Sequence, residues 1–284
     1  MPSPSSLASS LPARWSAGQS QTRPVDSLTA KAQLLQPDHA GRRRLMRRCV
    51  VLGGAALAAG LVDDGVAWRR LVADYRTEVG AQRHVTLTDG TYLLLNTRTA
   101  IDVDRSPDAL HIRLLTGELL LEQQPGTRPV VIRTAQGEVQ VREGRIVVSR
   151  QERTTEVDAL AGVARVQSLG HASAVVTVVG GQHLSFTARA TGQPVAIQHD
   201  RIAWVDGLII ARDMKLADFV QELQRYSAAR LQCDPSVGSL LVSGNFPITD
   251  LKRVFAWLAT TLPLRVEERD TQWGRQALTL RALG

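Results

Sequence analysis

Val85-Thr86-Leu87-Thr88-Asp89-Gly90-Thr91-Tyr92-Leu93-Leu94-Leu95 is the stretch whose reading decides the fold. Val85 and Leu87 alternate with Thr86 and Thr88, and a period of two sends successive side chains to opposite faces of a strand. Asp89-Gly90 supplies the chemistry of a two-residue hairpin turn, because glycine takes positive φ without a Cβ clash. Thr91–Leu95 is then the return strand. The same pattern continues downstream. Strands are predicted at Ala100–Val103, His111–Leu115, Glu118–Glu122, Pro129–Thr134, Glu138–Arg142 and Arg145–Ser149. Thr155–Leu160, Val163–Ser168, Ala174–Val179 and His183–Ala188 follow, with Gly117, Gly137, Gly144, Gly162, Gly170 and Gly180-Gly181 between them. Short strands at such spacings indicate an all-β sandwich, barrel or solenoid.

Residues 204–284 change class. Leu216, Phe219, Val220, Leu223 and Tyr226 share one face of a helix. Leu251, Val254, Phe255, Leu258 and Leu262 nearly repeat them, the first four at an offset of 35 positions. Asp213 and Thr249 are the expected N-caps. Apolar strands precede and follow each helix, at Leu208–Ala211 and Arg230–Cys233, then Leu240–Ser243 and Leu264–Glu268. The result is two βαβ units, and Leu278 and Leu280 suggest a closing strand. The fold class expected is therefore mainly β, a sandwich or solenoid-like domain over 77–200, followed by a small α+β module of two βαβ units over 201–284.

The N-terminal part reads as an export and anchoring signal. Residues 1–48 hold eight Lys/Arg against Asp26 and Asp38, which places +6 of the chain's net +7 there. Arg42, Arg43, Arg44, Arg47 and Arg48 abut Cys49–Val62, fourteen residues without a charge. Basic residues on one flank of an apolar run mark the side left in the cytoplasm. The charge is therefore read as a topology signal, and direct nucleic-acid binding is not expected. Fourteen residues make a helix of about 21 Å, short of a hydrocarbon core of about 30 Å. Gly41-Arg42-Arg43-Arg44-Leu45-Met46-Arg47 is similar to a twin-arginine export motif, with Arg42 and Arg43 as the export signal; such motifs are addresses read by a receptor. An uncleaved signal-anchor over 41–68 is expected, making a single N-terminal membrane segment. Residues 1–40 are expected to be a short flexible cytoplasmic N-terminus, and the bulk of the chain periplasmic. Cys49 and Cys233 would lie on opposite sides of the membrane, so the fold must hold without an intrachain disulfide.

Catalytic and metal-binding patterns are missing from the sequence. The six histidines have no ligand spacing, and no G-x-S-x-G, H-E-x-x-H, C-x-x-C or phosphate-binding glycine loop occurs. No enzyme activity, cofactor or metal is expected. Trp204, Phe219, Tyr226 and Phe255 are expected in the core. Phe246 and Trp257 fall outside the clean apolar stripes. Leu241, Val242, Gly244, Asn245 and Phe246 form a strand with a glycine that lets another backbone approach. This stretch is the candidate for binding a partner by strand addition, with Phe246 as the exposed anchor. It also fits a plain central strand.

Several pieces in order carry a resemblance. Leu87-x-Asp89-Gly90-Thr91, Leu95-Asn96, Thr99, Leu115-x-Gly117-Glu118 and Arg128-Pro129-Val130-Val131-x-Arg133-Thr134-x-x-Gly137 begin it. Gly181-Gln182, Trp204-x-x-Gly207-Leu208, Leu216, Leu223 and Arg225-Tyr226 continue it. Together they resemble the FecR family of periplasmic signal transducers and sigma-factor regulators over residues 70–230. The 231–284 tail is similar to the small secretin/TonB-type module that ends these proteins. The resemblance implies a single-pass inner-membrane protein whose cytoplasmic part holds an extracytoplasmic-function sigma factor. It implies that the periplasmic part senses the signalling domain of a TonB-dependent outer-membrane receptor for a siderophore, and that regulatory proteases release the sigma-bound fragment. Two departures stand out. Residues 1–40 are shorter than the family's cytoplasmic domain, which reads as a truncated anti-sigma region. The stretch that aligns with the Gly-Thr self-cleavage site of some members is Arg142-Glu143-Gly144-Arg145-Ile146, without that pair. The competing reading is an exported β-rich structural or carbohydrate-binding protein without a sigma-factor partner.

Overall fold

Alternating side chains turn 83–95 into a hairpin of β2 (Arg83–Thr86) and β3 (Tyr92–Leu95), following a two-residue β1 (Tyr75–Arg76). Val85 lies opposite Leu93. The Leu87 N–H donates to Thr91 O at 2.9 Å, and the Gly90 N–H donates to Leu87 O at 3.0 Å. Gly90 sits at φ +84° with open space around its Cα, so it is required for its conformation alone. The computed structural model describes residues 72–87, 90–171, 174–270 and 276–283; the expectations for 1–40 and 41–68, including Arg42 and Arg43, and for Asp89 lie outside the described residues.

Eight more strands complete the β domain: β4 (Ala100–Arg105), β5 (Leu110–Gln123), β6 (Val130–Arg133), β7 (Gly137–Arg150), β8 (Thr154–Ser168), β9 (Val175–Val179), β10 (Gln182–Thr187) and β11 (Val195–Ala196). Three of the glycines read as strand ends are interior. Gly117, Gly144 and Gly162 each lie inside one long strand, so three pairs of expected short strands merge into β5, β7 and β8. They mark close approaches. A Cβ on Gly117 would meet Thr99 Oγ1 at 2.3 Å, and one on Gly144 would meet Ala161 O at 2.3 Å. Gly144 pairs with Gly162 across a register shift, a bulge that bends both strands.

These strands form one 11-stranded sheet folded over itself. The first half of β5 pairs with β4 and β6, and its second half pairs with β3 and β7. Side chains from both halves meet in one core, among them Ile101, Ile112, Ile132, Val139 and Val166 from one half and Leu93, Leu121, Val148, Val157 and Phe186 from the other. The domain is mainly β, and its sheet does not close into a barrel. Leu94, Leu120 and Val147 point the other way. They sit opposite one another on β3, β5 and β7 and pack into a second core with the residues that follow.

That second core belongs to the terminal module. It runs β12 (Leu208–Lys215), α1 (Leu216–Gln224), β13 (Arg230–Cys233), β14 (Leu241–Pro247), α2 (Leu251–Thr261), β15 (Leu264–Asp270) and β16 (Gln276–Ala282). Leu216, Phe219, Val220, Leu223 and Tyr226 are all buried, as are Val254, Phe255 and Leu258. The strand, helix, strand order is present twice, but the strands of one unit do not share a sheet. β12 pairs antiparallel with β14, while β13 and β15 flank β16.

Both expected N-caps are displaced. Asp213 lies in a bulge of β12 at φ +50°, where its carboxylate accepts from Ser243 Oγ at 2.9 Å. The start of α1 is instead held by main-chain oxygens: Leu216 N–H donates to Leu240 O at 2.7 Å and Ala217 N–H to Gly238 O at 3.1 Å. Neighbouring backbone thus does the work expected of a side-chain cap. For α2 the cap is Asp250, one residue past Thr249, and its carboxylate accepts from Arg253 N–H at 3.1 Å.

Candidate functional site

The stretch expected to bind a receptor is β14, and its side chains divide by the strand's alternation. Val242 and Phe246 are buried, while Leu241 is 57% exposed and Asn245 faces solvent. Phe246 is therefore no surface anchor. Its ring stands 4.6 Å from that of Phe219 and 5.1 Å from that of Trp257, centroid to centroid. It lies over Gly244, where an added Cβ would be 3.2 Å from the ring. Gly244 thus serves the core side of the strand, by making room for Phe246. Among the described residues β14 pairs only with β12, so its other edge is unpaired. Trp257, on α2, is 39% exposed.

Six of the residues that carried the family resemblance, Asn96, Thr99, Glu118, Trp204, Arg225 and Tyr226, lie elsewhere, at the seam between the β domain and the terminal module. Glu118 is the hub. Its Oε2 accepts from Asn96 Nδ2 at 2.9 Å, and its Oε1 accepts from Ser149 Oγ at 3.1 Å and from Arg225 Nη2 at 2.5 Å. The Asn96 amide also donates to Tyr226 Oη at 3.0 Å. Thr97 Oγ1 donates to Arg225 O at 3.1 Å and accepts from Gly80 N–H at 2.8 Å. Gln82 Nε2 donates to Trp204 O at 2.8 Å.

Each motif position has a local reason. Asn96 follows β3 directly and is fully buried, so its amide needs partners. Thr99 Oγ1 accepts from Glu118 N–H at 3.0 Å and lies against Gly117, which fixes glycine at that position. Gly207 ends a 3-10 turn at φ +74°, and its N–H donates to Trp204 O at 3.0 Å. Arg225 and Tyr226 follow α1 and are aimed back at the sheet by it. Beside the network, Leu94, Leu120 and Val147 meet the module's apolar residues. The seam is thus an apolar stripe with a charged, fully hydrogen-bonded patch at one end.

Electrostatics follow from this burial. Burial pushes the Tyr226 phenol up to about 12, opposed by the Arg225 charge and the Asn96 hydrogen bond. Burial works against the charged Arg225 guanidinium, but Glu118, Tyr226 and Glu222 more than offset it, so its proton is held more tightly than usual. The sign for Tyr226 is that of a raised acid. The folded state keeps the phenolic proton longer than the unfolded chain, so stability is full below pH 10 and falls between pH 10 and 12. A shift of about two units corresponds to about 2–3 kcal/mol. Tyr226→Phe should flatten that alkaline limb in pH-dependent denaturation, and an unchanged limb would remove Tyr226 as its cause.

A second buried pair lies on the same face of the sheet. His183 Nδ1 and Asp158 Oδ1 are 2.8 Å apart on adjacent strands, at the end of the row that contains Val147. Burial raises the Asp158 carboxyl, with His183 pulling the other way. Among the described residues no cluster of His, Cys, Asp or Glu could hold a metal ion, and no helix is long and apolar enough to cross a membrane.

The sequence marks Asn96, Thr99, Glu118 and Arg225 only as motif letters and Trp204 and Tyr226 also as core residues, which they are, but it does not show that the six meet. Gln82, Thr97 and Ser149 were missed. One signal was available. Leu93-Leu94-Leu95, Leu119-Leu120-Leu121 and Ile146-Val147-Val148 are unbroken apolar runs, which mark strands buried on both faces.

Residues 73–165 match the model of the family described as FecR protein. The chain thus carries a FecR region, and Asn96, Thr99 and Glu118 lie within it. Two crystal structures of a candidate anti-sigma factor from Parabacteroides distasonis ATCC 8503 have a similar fold. One, at 1.65 Å, is 17% identical with a TM-score of 0.56 and covers 74% of this chain and 99% of that one. The other, at 2.50 Å, is 18% identical with a TM-score of 0.54 and covers 72% of this chain and 97% of that one. The shared fold therefore extends well beyond residues 73–165. No curated protein matches the chain.

Proposed function

We propose that this chain is a sigma-factor regulator of the FecR type, in which the terminal module receives an extracytoplasmic signal and the seam at Glu118 passes it to the β domain. The observation that carries this reading is that part of the family motif meets at that seam. Residues from the matched region, Asn96 and Glu118, bond directly to Arg225 and Tyr226 of the module. A protein that only binds ligand on its β domain has no need of such a joint.

The finer reading follows from the resemblance. The basic leader with Arg42 and Arg43 directs a single-pass inner-membrane topology, with the N-terminus toward an extracytoplasmic-function sigma factor. The module faces the signalling domain of a TonB-dependent siderophore receptor, and proteases act downstream. Docking by strand addition fits the unpaired edge of β14, on which Leu241 and Asn245 are exposed. With Phe246 in the core, Trp257 takes over the role of anchor.

The test is co-isolation of the full chain, in detergent, with a candidate sigma factor and a candidate receptor signalling domain. Trp257→Ala should weaken receptor-domain binding by roughly thirtyfold, the loss typical of a central aromatic anchor. It should leave sigma-factor binding unchanged. Unaltered receptor binding in this variant would remove β14 and α2 as the docking surface, and failure of the wild-type chain to retain any sigma factor would remove the regulator reading itself.

A further inference from the structure

One edge of the β domain's sheet lacks the usual protection against pairing. Among the described residues, β9 pairs only with β8, and its sequence is Val175-Val176-Thr177-Val178-Val179. Natural edge strands are blunted by charge, proline or shortness. The other edges of this sheet follow that rule: β1 and β11 are two residues long, and β2 carries Arg83 and His84. β9 has five residues, none charged.

Its geometry makes it complementary to itself. The Gly180 N–H donates to Gly162 O on β8 at 2.9 Å, and Val178 lies opposite Ala164. The antiparallel ladder alternates, so the main-chain groups of Val175, Thr177 and Val179 face away from β8. Consistent with this, the Val179 N–H is met by a side chain, Gln182 Oε1, at 3.1 Å. The sequence V-V-T-V-V reads the same in both directions. An antiparallel copy centred on Thr177 therefore sets Val175 against Val179, Val176 against Val178, and Thr177 against itself. Val175, Val179 and Val163 are each more than 40% exposed on the outer face and would adjoin one another across the junction.

We propose that β9 is a self-association edge, on which a second copy of this chain pairs antiparallel about a two-fold axis at Thr177. Self-complementarity favours this occupant, and charge does not oppose it. The nearest outward charge, Arg165, lies one strand back opposite Thr177. In the pair, two such arginines stand three strand spacings apart, about 14 Å, beyond a Debye length of about 8 Å. Like charges thus do not oppose pairing. Area sets its strength. A five-residue edge with three flanking valines falls short of the about 1,200 Å² of a stable interface, so the dimer forms and dissociates with local concentration. Pairing costs the movement of Gln182 from each Val179 N–H.

The experiment uses the purified full chain in detergent with Cys49→Ser and Cys233→Ser, so that added cysteines react alone. Facing Cα atoms at the axis stand about 5.5 Å apart, within disulfide reach. Thr177→Cys should give a disulfide-linked dimer under mild oxidation with copper phenanthroline, and Arg165→Cys on the same face should not. Adding Val175→Lys and Val179→Lys should abolish the Thr177→Cys dimer. Equal cross-linking at 165 and 177, no cross-linking at 177, or persistence of the dimer with both lysines would each overturn the proposal. Sedimentation of the wild-type chain over a concentration series gives a readout independent of the cysteines, and a strictly monomeric chain at all concentrations contradicts it.

Discussion

Phe246→Ala should destabilise the full chain by about 3–4 kcal/mol, the usual cost of removing a buried aromatic ring. The ring is 5% exposed and stands between Phe219 and Trp257. Its removal loses two aromatic contacts and leaves Gly244 unable to fill the space, since glycine has no side chain to move. Of the two readings drawn from the sequence, this outcome follows from the plain central strand, and the exposed anchor would leave stability nearly unchanged. Denaturant titration separates the two. A midpoint within experimental error of wild type would return Phe246 to the surface and contradict the packing described.

Glu118→Ala should cost about 2–3 kcal/mol. Breaking a buried ion pair by removing one partner costs about 3–5 kcal/mol, but Arg225 is 37% exposed and can recover solvent, which reduces the figure. The larger part comes from Asn96, which is fully buried and loses an acceptor for its amide. Glu118→Gln should cost less, because a flipped amide can still accept from Asn96 or Ser149. If Glu118→Ala and Glu118→Gln proved equally harmless by denaturant titration, the network would be decorative and the seam would rest on Leu94, Leu120 and Val147 alone.

The parts of the fold legible in the sequence were those set by local periodicity. Alternation in 83–95 and the repeated helix face at 216–226 and 251–262 identified strands and helices, because burial on one side leaves a regular trace. What failed were inferences about ends and neighbours. Gly117, Gly144 and Gly162 were read as breaks because glycine weakens a strand. Their true role, giving way to Thr99, Ala161 and Glu143, depends on residues far away in sequence. Asp213 and Thr249 looked like caps, but at α1 the carbonyls of Gly238 and Leu240 do that work, which no local pattern displays. Phe246 was placed on a strand, but its phase with Val242, which turns both inward, was not used. The seam was the hardest to see. Asn96, Glu118 and Tyr226 are separated by long stretches of chain, and only the folded sheet brings them together.

Scanning calorimetry of the full chain tests the central claim most directly, since the claim is that the β domain and the terminal module are joined into one cooperative body through the seam. Wild-type protein should show a single unfolding transition for both parts, and Glu118→Ala should split it into two as the module uncouples from the β domain. Two separate transitions already present in the wild-type chain would contradict the account.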